Sequence, residues 1–281
     1  WEGVIEACKK LTVLTANHEQ IDIARILTDA CRRTGQLEIA RRGLEYVYRE
    51  NIDGISLRDD LKQIYEEIGA WGELASFHAH DANAAEDPAR RADLFRKAGT
   101  AYLKAGDMDT ALLALNEALS LEPENMEAAV LAIDIEIENG DLEGAEAHAT
   151  DAIDACAKKR SPELAALQLR MGRIAEKNGD KVGQLNWLEQ AATSDRSDAG
   201  LIARVADLAE EIQEWETALK ALRNISLMKG DCPISKAESF FRQGRIAYQQ
   251  GDEKRAQLFV KKAIQEDKDY QEAIDYLEQI S

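Results

Sequence analysis

The chain has 281 residues, and its 53 acidic against 35 basic side chains give a formal net charge of −18. A surplus of that size, with no dense Lys/Arg run to override it, argues against nucleic acid or an anionic membrane surface as partner. The 45% hydrophobic fraction excludes wholesale disorder, four prolines and 6% aromatics favour helix over sheet, no apolar run or signal segment suits a membrane, and four scattered cysteines form neither a disulfide framework nor a zinc site.

From the N-terminus, residues 1–18 read as one amphipathic helix, and a turn signal then recurs at Gly35, Gly69, Gly106, Gly140, Gly179 and Gly251. The spacings are 34, 37, 34 and 39 residues, then 72, a gap divided by Gln213, 34 residues after Gly179. An amphipathic stretch of about a dozen residues precedes and follows each turn. A small residue stands five places after most turns, at Ala40, Ala111, Ala145, Ala218 and Ala256, with Leu74 and Gln184 as departures. Four turns read Gly-Asp: Gly106-Asp107, Gly140-Asp141, Gly179-Asp180 and Gly251-Asp252. Glycine ends a helix in the left-handed conformation without a Cβ penalty, and the aspartate caps the next helix by accepting its first N–H groups. The pattern predicts tight helical hairpins, with the alanines bringing the second helix close to the first.

At residues 92–125 the chain closely resembles a tetratricopeptide repeat. Phe95 stands at the large first position, Gly99 at the small contact position, Tyr102 at the aromatic one, Gly106 at the turn, Ala111 and Ala118 at the close-packing places and Pro123 at the terminal proline. Carried along the chain, that register gives units at 21–54, 55–88, 92–125, 126–159, 165–198, 199–232 and 237–270, with 1–18 as the second helix of a partial unit and 271–281 as a further first helix. Arg58 and Gln168 replace the large apolar residue, Glu136 the aromatic and Asp81 the late small residue. Ile133, Ile135 and Ile137 alternate as a strand would, but their helical neighbours and the unit length favour helix. Pro88, Pro162 and Pro233 fall where extra residues separate every second unit, and Asp87-Pro88 and Ser161-Pro162 read as helix starts. The tetrapeptide at Gly172–Ala175 recurs at Gly244–Ala247, 72 residues later, which suggests duplication of a two-repeat block.

The resemblance implies an all-α fold, a right-handed superhelix of stacked antiparallel helix pairs, because one pair cannot bury its own apolar face. It further implies a non-catalytic scaffold that binds a segment of a partner protein in a concave groove lined by the first helices. Residues at the family's groove places include Arg25, Asp59, Arg96, Asp134, Arg173, Asp207, Phe241, Arg245 and Tyr248. Charge at these places alternates from unit to unit, positive at Arg25, Arg96, Arg173 and Arg245, negative at Asp59, Asp134 and Asp207. Two readings are open: a partner of mixed charge, or neutralisation between adjacent first helices. Phe241 and Tyr248 are either exposed anchors or core. A clamp for chaperone C-termini is not expected, since no unit carries the Asn that such relatives use.

Catalysis finds little support. His78 and His80, two apart on a helix, point to different faces and do not chelate one ion easily. No phosphate loop, dinucleotide fingerprint, nucleophile elbow or zinc-protease motif occurs. We expect no enzyme activity, no cofactor, no metal, no nucleic-acid partner and no membrane insertion. Trp1, Trp71 and Trp215, each two places after a turn position, are expected to pack between hairpins, and Trp187 within its own helix. The alternatives to a stand-alone scaffold are a targeting or regulatory arm of a larger multidomain enzyme and an array that self-associates through its end helices. The composition resembles that of bacterial arrays, the cysteines suit a cytoplasmic location, and the unpaired end helices suggest an excerpt of a longer protein.

Overall fold

The computed structural model describes residues 1–15, 18–50, 54–156, 160–228 and 230–281. Among the described residues there are sixteen α-helices, one short 3-10 turn at Gly54–Leu57 and no strand. The fold class is all-α, built from consecutively packed helices.

The chain divides into two compact units, Trp1–Leu131 and Ala132–Ser281. The first contains α1 (Glu2–Leu14), α2 (His18–Thr34), α3 (Leu37–Glu50), α4 (Arg58–Ile68), α5 (Trp71–Ala84), α6 (Pro88–Ala105), α7 (Met108–Leu121) and the start of α8 (Met126–Asn139). Each helix from α1 to α6 packs on its successor. Leu27, Leu44, Leu57, Leu61 and Ile64 are essentially fully buried between them. The second unit takes the rest of α8, then α9 (Leu142–Ala155), α10 (Pro162–Lys177), α11 (Lys181–Ser194), α12 (Ala199–Glu211), α13 (Trp215–Leu227), α14 (Lys236–Gln249), α15 (Glu253–Glu266) and α16 (Gln271–Gln279). Helices α9 to α16 again pack in succession. Ile133, Ile135 and Ile137 are helical and all buried, so their alternation marks a helix with little solvent exposure rather than a strand.

The turns follow the chemistry of their residues. Gly35, Gly69, Gly106, Gly140, Gly179 and Gly251 all have φ between 71° and 83°. Gln213 shares this geometry with φ 63°, the only non-glycine with positive φ among the described residues. The backbone bonds of Gln213 and Glu214, to the carbonyls of Glu210 and Ala209, repeat those of Gly106 and Asp107, to Leu103 and Tyr102. The side chains of Asp107, Asp141, Asp180 and Asp252 each accept the backbone N–H three residues on. Asp87 and Ser161 cap α6 and α10 in the same way, each followed by proline at the first helical position.

Ala40, Ala111, Ala145, Ala218 and Ala256 are fully buried. Opposite them the first helices are close enough that a Cβ on Gly244 would stand 2.7 Å from Val260 Cγ2 and 3.2 Å from the Ala256 carbonyl, while one on Gly99 would stand 2.7 Å from Leu115 Cγ. At Gly172, in the unit that has Gln184 in place of alanine, the nearest atom is 3.7 Å away. The repeated tetrapeptide therefore sits in a tight contact in one copy and a relaxed one in the other.

Trp71 and Trp215 open α5 and α13 and are partly buried against their cores, and Trp187 is half-buried. Trp1 departs from the expectation. It is 60% exposed, with the Arg33 guanidinium 4.7 Å from the ring centre.

Candidate protein-interaction surface

Helices α2, α4, α6, α8, α10, α12 and α14, which precede the turns, carry the charged residues singled out above. Their alternation of sign is used within the protein. In the first unit Arg25 of α2 pairs with Asp60 of α4 at 3.0 Å and donates to the Ser56 carbonyl, and Arg32 pairs with Glu67 at 2.8 Å. Arg96 of α6 meets Asp93 and, on α8, Glu127, both at 2.8 Å. In the second unit Asp134 of α8 receives Arg170 at 2.7 Å and Arg173 at 3.0 Å from α10, and Arg173 also holds Glu138 at 2.8 Å. Arg242 of α14 bridges Asp207 and Glu210 of α12, both at 2.7 Å. Helix pairs about one repeat apart are thus laced by guanidinium–carboxylate contacts, each worth about 0–1 kcal/mol where exposed.

Of the expected groove residues, Arg25, Arg96, Asp134, Arg173 and Asp207 are engaged in these pairs. Asp59, almost fully exposed, lies 3.5 Å from Lys62. Arg245 and Tyr248 are exposed, Tyr248 with its ring edge-on to Tyr276 at 6.1 Å. Phe241 is not an exposed anchor. It is 2% exposed because Tyr270 and Tyr276 cover it, with ring centres at 5.3 and 5.6 Å, so its apolar ring belongs to the core. The sequence reading missed Asp60, Arg170 and Arg242. Arg170 and Arg242 stand three residues before Arg173 and Arg245, on the same helix face, and that spacing was the available signal.

A second feature lies among α4, α5 and α6. A cavity of about 320 Å³ is lined by Lys62, Arg96, Lys97 and Lys104 against one carboxylate, Glu66, with Trp71, Leu74, His78 and Ala101 among its other walls. Lys62 and Lys97 are partly neutralised by Asp81 and Asp93, at 2.6 and 2.7 Å. The Lys104 ammonium stands 4.3 Å from the centre of the Trp71 ring, a cation–π contact. Burial holds His78 down to about 4, with Lys62 and Lys97 pushing the same way and Asp81 and Asp93 opposing. Its imidazole is therefore neutral at pH 7, and its Nδ1 has no hydrogen-bond partner among the described residues. An acidic protein here gathers positive charge around a partly apolar recess, which suits a carboxylate. Among the described residues, no cluster of three His, Cys, Asp or Glu side chains could hold a metal ion. No helix of the described residues is long and apolar enough to cross a membrane.

The glycine turns, buried alanines and paired helices coincide with matches to the tetratricopeptide-repeat family over residues 96–160 and 237–270. The chain carries tetratricopeptide repeats. Among solved structures it is similar to a tetratricopeptide repeat protein from Parabacteroides merdae, at 16% identity over 99% of each chain with a TM-score of 0.48. It is also similar to pilF of Pseudomonas aeruginosa, at 15% identity over 80% of this chain and 98% of that one, TM-score 0.48. A third is YrrB, described as having an unusual peptide-binding site, at 16% identity over 66% of this chain and 91% of that one, TM-score 0.45. No curated protein matches the chain in sequence. The repeats place the chain among protein-interaction scaffolds, a class that is generally non-catalytic.

Proposed function

We propose that this chain is a non-catalytic scaffold that binds a segment of a partner protein along its turn-preceding helices, in a concave groove of seven stacked units with the boundaries given above. The observation that carries the reading is the cationic recess among α4, α5 and α6 in a chain of net charge −18. It offers an acidic side chain of the partner a cationic, partly apolar site beside Trp71, while the arginine–carboxylate pairs fix the helices around it. Arg245 and Tyr248 supply a further exposed cation and aromatic on α14. Thiols at Cys8, Cys31 and Cys232 are compatible with a cytoplasmic setting.

The test is capture of partners by the intact array, mapping of the bound segment, and measurement of that segment's affinity for variants. Lys104→Glu should weaken it about tenfold at low salt and flatten its loss with salt, because a reversed charge in the recess removes an attraction and added salt screens the new repulsion. Arg245→Glu should have a smaller effect in the same direction. Helicity and melting should stay unchanged in both. A mapped segment that is uniformly basic, or one indifferent to both reversals, would remove the grounds for this reading.

A further inference from the structure

Of the four replacements at the large apolar, aromatic and late small places of the repeat, three are compensated inside their own unit. Arg58, in place of a large apolar residue, pairs with Asp81, itself in place of a small one, and donates to the Tyr48 hydroxyl at 2.8 Å. Glu136, in place of an aromatic and 4% exposed, meets His148 Nδ1 at 2.8 Å. Gln168 is different. It is 7% exposed, and its Oε1 has no donor among the described residues.

Gln168 lines a cavity of about 980 Å³ bounded by α10, α11 and α13. An amide where the pattern places a bulky apolar group leaves room, and the other walls are polar: Asn186, Gln190, Thr193 and Ser194 of α11, with Lys220 of α13. A second cavity of about 550 Å³ shares Glu189, Thr193 and Lys220 with the first, so the two form one groove. Its walls are partly apolar, with Ile202, Val205, Leu227 and Met228 beside Arg196 and Asn224, and Leu227 is 74% exposed. Arg160, Arg196 and Lys220 border the groove against the single carboxylate Glu189, which lies 3.4 Å from Lys220.

We propose that this groove, formed mainly by the turn-following helices α11 and α13 with Gln168 of α10 and Ile202 and Val205 of α12 among its walls, binds an extended peptide segment carrying an aliphatic residue next to an acidic one. Three features select that occupant. Side-chain amides and hydroxyls satisfy backbone N–H and C=O groups, which an extended segment presents outward and a helix uses internally. The Gln168 Oε1, shielded and without a donor among the described residues, gains a partner if the amide turns into the groove towards a peptide N–H, because an unpaired buried acceptor is costly. The apolar half takes an aliphatic side chain, and the excess of cations over carboxylates takes an acidic one. The site is distinct from the surface of the proposed function and does not depend on it.

Displayed random peptides of about a dozen residues, selected on the full chain and resynthesised, provide the probe. The expected consensus pairs an aliphatic residue with Asp or Glu. Binding should fall about tenfold or more in Gln168→Leu and Leu227→Asp, and stay as in the unaltered chain in Arg245→Glu. Gln168→Leu restores the apolar residue of the repeat pattern, so its melting temperature should not fall, and Leu227→Asp alters an exposed position. The Gln168 side-chain amide signals should shift on titration with the peptide. Failure to enrich any consensus, enrichment of basic peptides, undiminished binding to Gln168→Leu, or loss of binding in Arg245→Glu would each overturn the proposal.

Discussion

Gln213 holds a backbone conformation that costs a residue with a Cβ roughly 1 kcal/mol or more, and it does so at the one turn without glycine. Gln213→Gly should therefore raise stability by about 0.5–1 kcal/mol, read as a higher urea midpoint, since glycine relieves the strain but adds disorder to the unfolded chain. The two matched glycines allow a paired test. Gly244→Ala drives a methyl into Val260 and the Ala256 carbonyl and should cost about 1–3 kcal/mol. Gly172→Ala meets only ordinary contacts and should be neutral or stabilising by up to about 1 kcal/mol through helix propensity. The sequence showed where the turns and caps lie because each depends on one or two residues. It did not show that the two glycines differ, since the clearance depends on partners more than ten residues away. His78 supplies a pH test: its folded pKa, held near 4, lies below the unfolded value of about 6.5, so the unfolded chain binds the extra proton. The stability from keeping it neutral is complete above pH 6.5 and is lost as pH falls towards 4. The partly solvated ring limits the loss to on the order of 1 kcal/mol. Chemical denaturation of His78→Gln across that range should show a correspondingly shallower decline.

At the scale of elements, the unit most at variance with the repeat pattern has exchanged an apolar contact for a buried ion pair. Arg58 and Asp81 are both largely buried, and the guanidinium also faces Phe77 and Tyr48, with ring centres at 5.0 and 5.9 Å. Arg58→Leu should cost about 1–3 kcal/mol by leaving Asp81 with Lys62 alone, and adding Asp81→Ala should recover most of it. A double-mutant cycle on thermal unfolding measures that coupling, and additive effects would show the two substitutions to be independent. Both positions were visible in the sequence as departures from a pattern. That they answer one another was not, because they lie 23 residues apart on α4 and α5. Phe241 stayed open between anchor and core for a related reason. Helical period alone does not reveal that Tyr276 of α16 and Tyr270 just before that helix close over its ring.

For the molecule as a whole, repetition made the all-α class readable from 34-residue spacings, while the surface needed coordinates. Charge at the groove places read equally well as a code for a partner or as cancellation between neighbours, and only distances show Arg25, Arg32, Arg170, Arg173 and Arg242 in contact with carboxylates on other helices. Those contacts also constrain how such a chain can lengthen or shorten. Excising residues 199–232 would bring the arginines of α10 against those of α14, like facing like, whereas removing 165–236 takes out one helix of each sign. The single excision should melt lower than the double one, and added salt should narrow the difference. Alternating polarity thus makes a pair of units, rather than a single one, the smallest insertion or loss that keeps opposite charges facing.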